Sequence, residues 1–157
     1  MVVVAIIDLE HQLILNRIML PAAIVLLIVA PFWGEAGLGR SFPGIDSEML
    51  ASFANSVASG AGGYLVFALI VLVYPQGMGG GDVKYAGVLG LLLGMPAALV
   101  AFWVASVVGG VVAIFLLATR RKGRKDLIPY GVFMSLGGLV ALWAGDDIFS
   151  WYRGLVY

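Results

Sequence analysis

The sequence predicts an all-α fold, a polytopic transmembrane bundle of about six helices with the first cut short, forming a single domain over residues 1–157. Three observations predict it. Hydrophobic residues make up 62% of the chain and charged residues 11%, against about 45–50% and about 25% in soluble domains. The charges leave long uncharged runs at 18–34, 49–81, 85–119 and 127–145. Basic residues gather at one set of the resulting helix ends and acidic residues at the other.

Taken in order, residues 1–7 are apolar up to Asp8. Even a helix continued to Leu15 would be about 22 Å long, short of a hydrocarbon core of about 30 Å. A truncated first helix is expected there, since the basic flank and small-residue cleavage site of a signal peptide are missing. The runs at 18–34 and 49–81 each allow one crossing. The run at 85–119 is too long for one, and Gly94, Met95 and Pro96 interrupt it. Proline lacks the amide donor and biases its predecessor away from helix. Two crossings follow, a short one near 84–93 and an ample one near 97–117. The run at 127–145 supplies the last.

An excess of Lys and Arg in short loops marks the cytoplasmic side. Arg120, Arg121, Lys122, Arg124 and Lys125 cluster after the fifth predicted helix. Alternating backward from them brings Lys84 and Arg17 to the same side. Glu35, Asp46, Glu48, Asp146 and Asp147 fall opposite, with Arg40 and Arg153 as the cations there. Small residues recur one turn apart at Ala58 and Gly62, Ser59 and Gly63, Gly90 and Gly94, Ala105 and Gly109, and Ser106 and Gly110. They read as packing positions, because lipid gives helices no hydrophobic drive to associate and close backbone approach must supply it. The tryptophans Trp33, Trp103, Trp143 and Trp151 read as packing and interface anchors.

Composition also excludes. Nine basic residues cancel nine acidic ones, so no general field gathers nucleic acid. With no cysteine and a single histidine, the chain can form neither a disulfide nor a thiolate zinc site. No cofactor is implied, and no oligomeric state follows from the sequence.

Charged groups at membrane depth are costly and mark function. Asp8 directly follows the apolar stretch at 1–7, and Asp82 closes the glycine-rich segment 77–81 where the fourth predicted helix begins. Alternation puts both at the cytoplasmic ends of apolar helices, where they can meet. Two nearby carboxylates share a proton and titrate as a pair. The ionised member can take a proton from water attacking an amide carbonyl while the protonated member polarises that carbonyl. The rivals are weaker. His11 has no obvious serine partner for a nucleophilic mechanism. A metal site from Asp8, Glu10, His11 and Asp82 is conceivable. A phosphate-binding loop requires Gly-Lys-Ser/Thr, whereas Gly81 leads into an acid. An ion or proton carrier needs polar groups at several depths, and the long runs offer little beyond Asn55, Ser56, Ser59 and Ser106. The glycines Gly77, Gly79, Gly80 and Gly81 allow positive φ and let another backbone approach.

These residues resemble the type IV prepilin peptidases, with archaeal preflagellin peptidases and presenilins as more distant GxGD aspartyl proteases. Gly77-Met78-Gly79-Gly80-Gly81-Asp82-Val83-Lys84 is similar to the family's GMGxGDxK box. Ile7-Asp8-Leu9-Glu10-His11-Gln12-Leu13 resembles the segment that carries its first catalytic aspartate, and Ile128-Pro129-Tyr130-Gly131 resembles the Ile-Pro-Phe-Gly segment that opens its last helix. The three blocks stand in family order across the chain.

The resemblance implies a membrane-embedded aspartyl endopeptidase with Asp8 and Asp82 as the catalytic pair. Gly79, Gly81, Lys84, Glu10, His11 and Asn16 are then supporting positions. For Glu10 and His11 a polar helix exit, and for Lys84 a snorkelling side chain, are the plainer readings. The implied substrates are type IV prepilins or type II secretion pseudopilins, cut after a glycine at the cytoplasmic face of the bacterial inner membrane. Three departures stand out. Leu15 replaces the family's proline before Asn16, the first helix is expected to be only about half length, and residues 1–157 hold no Cys-x-x-Cys pair of the kind found in the family's amino-terminal cytoplasmic domain. That region is associated with methylation of the new amino terminus by S-adenosylmethionine, so the resemblance does not carry that activity over. The remaining alternative is a non-enzymatic or inactive membrane subunit of a pilus or secretion assembly.

Overall fold

A computed structural model of the protein describes residues 1, 16–33, 40–75, 78–119 and 130–156. Every regular element among these is helical: α1 (Asn16–Val29) running into a 3-10 turn (Ala30–Trp33), α2 (Glu48–Val73), α3 (Gly80–Leu93), α4 (Ala97–Ala118) and α5 (Tyr130–Val156). They match the second to sixth helices expected from the sequence. The expected first helix lies outside the described residues. Within α2, α4 and α5, segments of 26, 22 and 26 residues are long and apolar enough to cross a membrane. The helices α1 and α3 have 14 residues each, or about 21 Å.

Three boundaries differ from expectation, each for a physical reason. Helix α2 stops at Val73 instead of reaching toward Gly81. Pro75 disfavours helix at Tyr74, whose φ and ψ are −135° and 75°. Helix α3 begins at Gly80, before Lys84, because Gly79 and Asp82 together cap it. Helix α5 continues past Asp146 and Asp147 to Val156. Both aspartates are exposed, so they mark where lipid can end without breaking the helix.

The molecule is organised as two antiparallel hairpins, α2 with α3 and α4 with α5, and α1 packs against α3. Backbones approach closely in both hairpins because glycines lie in the contact. A Cβ on Gly63 would come within 2.8 Å of the Ala86 carbonyl oxygen, and one on Gly60 within 2.6 Å of the Leu91 side chain. Gly90 abuts the Ser59 carbonyl in the same way, and Gly137 abuts that of Ala101. Of the small-residue pairs seen in the sequence, Ser59 with Gly63, Gly90 with Gly94, and Ala105 with Gly109 are buried. Gly62 and Gly110 instead face open space, so spacing alone overcounted the packing positions.

The surface is the reverse of a water-soluble protein's, and the core mixes apolar groups such as Phe67, Leu89 and Met134 with hydroxyls. Ser52, Ser56, Ser59 and Ser135 are buried, whereas Trp143 is 89% exposed and Leu72 76% exposed. Large apolar groups outside, and hydroxyls and glycines at the contacts inside, suit helices packed in lipid, where close contact and hydrogen bonds hold neighbours together. The bundle is a helical membrane fold.

The α3–α4 turn is held by side chains from elsewhere in the chain. Gly94 has φ 66°, and a Cβ there would meet the Arg40 side chain at 2.6 Å and Asn55 Oδ1 at 2.8 Å. Arg40 donates to Ser56 Oγ at 2.6 Å, to the Leu91 carbonyl at 3.4 Å and to the Leu92 carbonyl. Its guanidinium stacks 5.2 Å from the Trp33 ring. It thereby covers carbonyls at the end of α3 that have no partner within the helix. Burial pushes the Arg40 guanidinium down to about 10, against the opposing pull of Asp146, and it stays a cation at neutral pH. Asp146 and Arg40 therefore share one end of the bundle. Asp82 and Tyr130, which open α3 and α5, share the other.

Candidate active site

The sequence Gly79-Gly80-Gly81-Asp82 becomes the start of α3. Gly79 is the N-cap, with φ −81° and ψ 152°, and Asp82 is the third residue of the helix. The Asp82 carboxylate reaches back to accept the Gly79 N–H at 3.1 Å, while the Asp82 N–H bonds the Gly79 carbonyl at 3.1 Å. A carboxylate in this place is favoured by the positive end of the helix dipole and satisfies an amide that the helix cannot. Glycine cannot supply the side-chain half of a capping box, so the carbonyl of Gly79 takes that role.

The glycines serve through their lack of a side chain, not through unusual torsions. Among the described glycines only Gly44 and Gly94 have positive φ, so Gly79, Gly80 and Gly81 do not use the positive φ that glycine allows. A Cβ on Gly80 would meet nothing within 4 Å, and one on Gly79 would touch Asp82 Oδ2 at 3.7 Å. Gly79 and Gly80 are exposed and Asp82 is partly buried. Open room thus adjoins a carboxylate that is fixed in place, a setting in which a peptide backbone can approach an acid.

Around Asp82 the structure gathers groups to which sequence reading gave no role beside the aspartate. Tyr85, one turn along α3, is buried, and its hydroxyl lies 2.7 Å from Ser135 Oγ of α5. Tyr130 lies within electrostatic reach of Asp82, and its hydroxyl is 3.0 Å from Ser106 Oγ of α4. Its ring packs on Phe67, with centroids 5.9 Å apart. The available signals were the three-residue spacing from Asp82 to Tyr85, which puts both on one helix face, and a serine inside an apolar run.

Lys84 is exposed at the same end. Asn16 opens α1. Asp8, Glu10 and His11 lie outside the described residues, as does Gly77 of the glycine-rich segment. Between α1 and α3 runs an apolar recess of about 440 Å³ that begins at Tyr85 and is lined further along by Val88, Leu89 and Leu92 from α3 and by Val25 and Leu26 from α1.

A helical membrane bundle that presents an aspartate at the glycine-rich head of a short helix defines a class of intramembrane site. Comparison with known proteins gives the family: residues 1–114 match the type IV leader peptidase family, and the chain belongs to it. It is 28% identical over 152 residues to the prepilin leader peptidase/N-methyltransferase of Bacillus subtilis, covering 97% of this chain and 55% of that protein. Proteins of the same name from Legionella pneumophila and Stutzerimonas stutzeri are 29% and 30% identical, with 94% and 93% of this chain and 48% and 47% of theirs covered. The chain spans about half the length of these curated relatives. No solved structure matches it significantly.

Proposed function

We propose that this chain is an aspartyl endopeptidase that removes the basic leader from type IV prepilins or type II secretion pseudopilins at the cytoplasmic face of the inner membrane. Asp8 and Asp82 form the catalytic pair. The observation that carries the reading is Asp82 itself, held by the Gly79 N–H at the head of α3 with open space beside it, in a chain of the type IV leader peptidase family. The relatives, prepilin leader peptidases by name, suggest the substrate class.

In this mechanism one carboxylate of the pair is ionised and takes a proton from water as its oxygen bonds the scissile carbonyl carbon. The other, protonated, donates its hydrogen to the carbonyl oxygen, giving a tetrahedral diol. Return of a proton to the leaving nitrogen then breaks the C–N bond. No side-chain nucleophile and no cofactor enters the sequence of steps. The relatives' double name includes a methyltransferase, and the proposal takes only the peptidase half. The basic run from Arg120 to Lys125, next in sequence after α4, sets orientation against anionic lipid.

The test is co-expression with a prepilin and detection of leader removal. Asp8→Asn and Asp82→Asn are each expected to lower processing by at least about 10²-fold, the ordinary worth of a general acid or base, with the protein still in the membrane. Parental processing by either variant would rule out the pair. Purified parental protein that leaves substrate intact in detergent or liposomes would point to the non-enzymatic subunit instead.

A further inference from the structure

The two hairpins meet along a seam in which α3 and α5 run the same way. Asp82 is near Tyr130, Tyr85 bonds Ser135, and Leu89 lies against Gly138, so contacts advance together along both helices. The contact of the buried Leu89 with Gly138 is apolar. In lipid such faces adhere by close packing without a directional preference for depth. A hydrogen bond across the seam has that preference, because it fails when one helix slides past the other.

Ser135 Oγ also donates to the Gly131 carbonyl at 2.8 Å. A serine hydroxyl has one hydrogen. With that hydrogen on Gly131, the 2.7 Å contact has Tyr85 as donor and Ser135 as acceptor. The chain of bonds therefore runs from α3 to Ser135 and on to the backbone of the first turn of α5. Counting back from the junction, Asp82 lies about 4.5 Å down α3 and Gly131 about 6 Å down α5. The bonds thus hold the aspartate and the first turn of α5 at nearly one depth. On its other side the same turn is held to α4 by Tyr130 and Ser106 at 3.0 Å.

We propose that Tyr85 and Ser135 are positioning residues, a buried hydroxyl pair that locks the register of α5 against α3 and so fixes where Asp82 stands relative to the first turn of α5. This rests on the reading of Asp82 as one of the catalytic pair. Both side chains are almost fully inaccessible, Tyr85 at 2% and Ser135 at 1% exposure, so neither is placed to contact substrate directly. Their influence passes through helix placement.

The experiment compares Tyr85→Phe, Ser135→Ala, the double variant, Ser135→Thr and Asp82→Asn, purified and assayed on a prepilin in liposomes, with rates expressed per folded molecule. The two single variants are expected to lower kcat about tenfold, the scale on which small misplacements act, with KM within about twofold of parental. The pH profile of kcat is expected to move, because the surroundings of the carboxylate pair have changed. The double variant is expected to be no slower than the worse single one, since both remove the same bond. Ser135→Thr, which keeps the hydroxyl, is expected to recover most of the rate. If Asp82→Asn is inactive while Tyr85→Phe and Ser135→Ala keep parental kcat, the lock is wrong and the peptidase reading survives. The lock is equally overturned if the losses only follow the folded fraction with an unmoved pH profile. Activity in Asp82→Asn overturns both.

Discussion

Asn55 of α2 closes both backbone groups of Met95: its Oδ1 accepts the Met95 N–H at 2.7 Å and its Nδ2 donates to the Met95 carbonyl at 3.2 Å. The same amide nitrogen donates to the Ser41 carbonyl at 2.9 Å. One side chain on one hairpin thus ties the segment before α2 to the turn between the hairpins. Where lipid excludes water, those backbone groups have no cheap alternative partner.

Asn55→Ala is therefore expected to cost about 1–2 kcal/mol by leaving part-buried backbone groups unpaired. The measurement is thermal unfolding in detergent. Asn55→Asp keeps the acceptor for the Met95 N–H and loses both donations, so it is expected to be destabilised too. Parental melting of Asn55→Ala would show that the turn holds itself.

At Arg40 the forked geometry matters as much as the charge. Arg40→Lys retains a cation but cannot span Ser56 and the carbonyls of Leu91 and Leu92 together. It is expected to melt clearly below the parental protein, and Arg40→Met lower still. Asp146→Asn removes only an exposed charge whose pull on Arg40 is smaller than the effect of burial, so its change is expected to be the smallest of the three. A larger loss for Asp146→Asn than for Arg40→Lys would reverse this ranking.

The glycines divide into two groups by what surrounds them. Gly90→Ala and Gly137→Ala push a methyl group into the carbonyls of Ser59 and Ala101 and are expected to separate the helices within each hairpin, at a cost of about 1–3 kcal/mol. Gly62→Ala and Gly110→Ala enter open space on helices and are expected to be neutral or stabilising by up to about 1 kcal/mol. Melting temperatures of the four variants decide it. Equal behaviour of the two groups would mean that the close approaches carry no energy.

Gly79→Ala and Gly80→Ala probe function without disturbing the fold. Neither position has positive φ, and neither Cβ would meet a protein atom closer than 3.7 Å. Melting is expected to stay parental while leader removal falls by about tenfold or more, because the added methyl groups occupy the approach to Asp82. Parental processing would show that substrate reaches the aspartate from another side.

Much of this architecture is legible in the sequence because a lipid environment writes plainly. Uncharged runs announced the helices, and the Gly94-Met95-Pro96 break divided the longest run where the turn indeed falls. The glycine-aspartate segment pointed to the head of α3 for the same reason, since an acid so placed at the edge of an apolar run needs an explanation. What remained hidden was whatever depends on partners distant in the chain. Arg40 read as a charge beyond a helix end, yet it reaches into the gap between α2 and α3 to meet Ser56 and Leu92. Asn55 read as a stray polar group, yet it organises a turn far along the chain. Charge pattern also ended α5 too early, because Asp146 and Asp147 mark the limit of an apolar surface without stopping a backbone whose hydrogen bonds are already satisfied.

The brevity of α3 bears on hydration. At 14 residues it measures about 21 Å, about 9 Å less than the thickness of an oily slab. Such a deficit draws the bilayer inward or opens a moist dimple at one tip. The tip beside Arg40 is plugged by guanidinium, amide and indole groups, whereas at the other tip a methyl group on Gly80 would meet nothing within 4 Å. Solvent thus has a natural way down to the carboxylate, and a membrane-borne chain can be met by water while its own greasy segment stays in the fat.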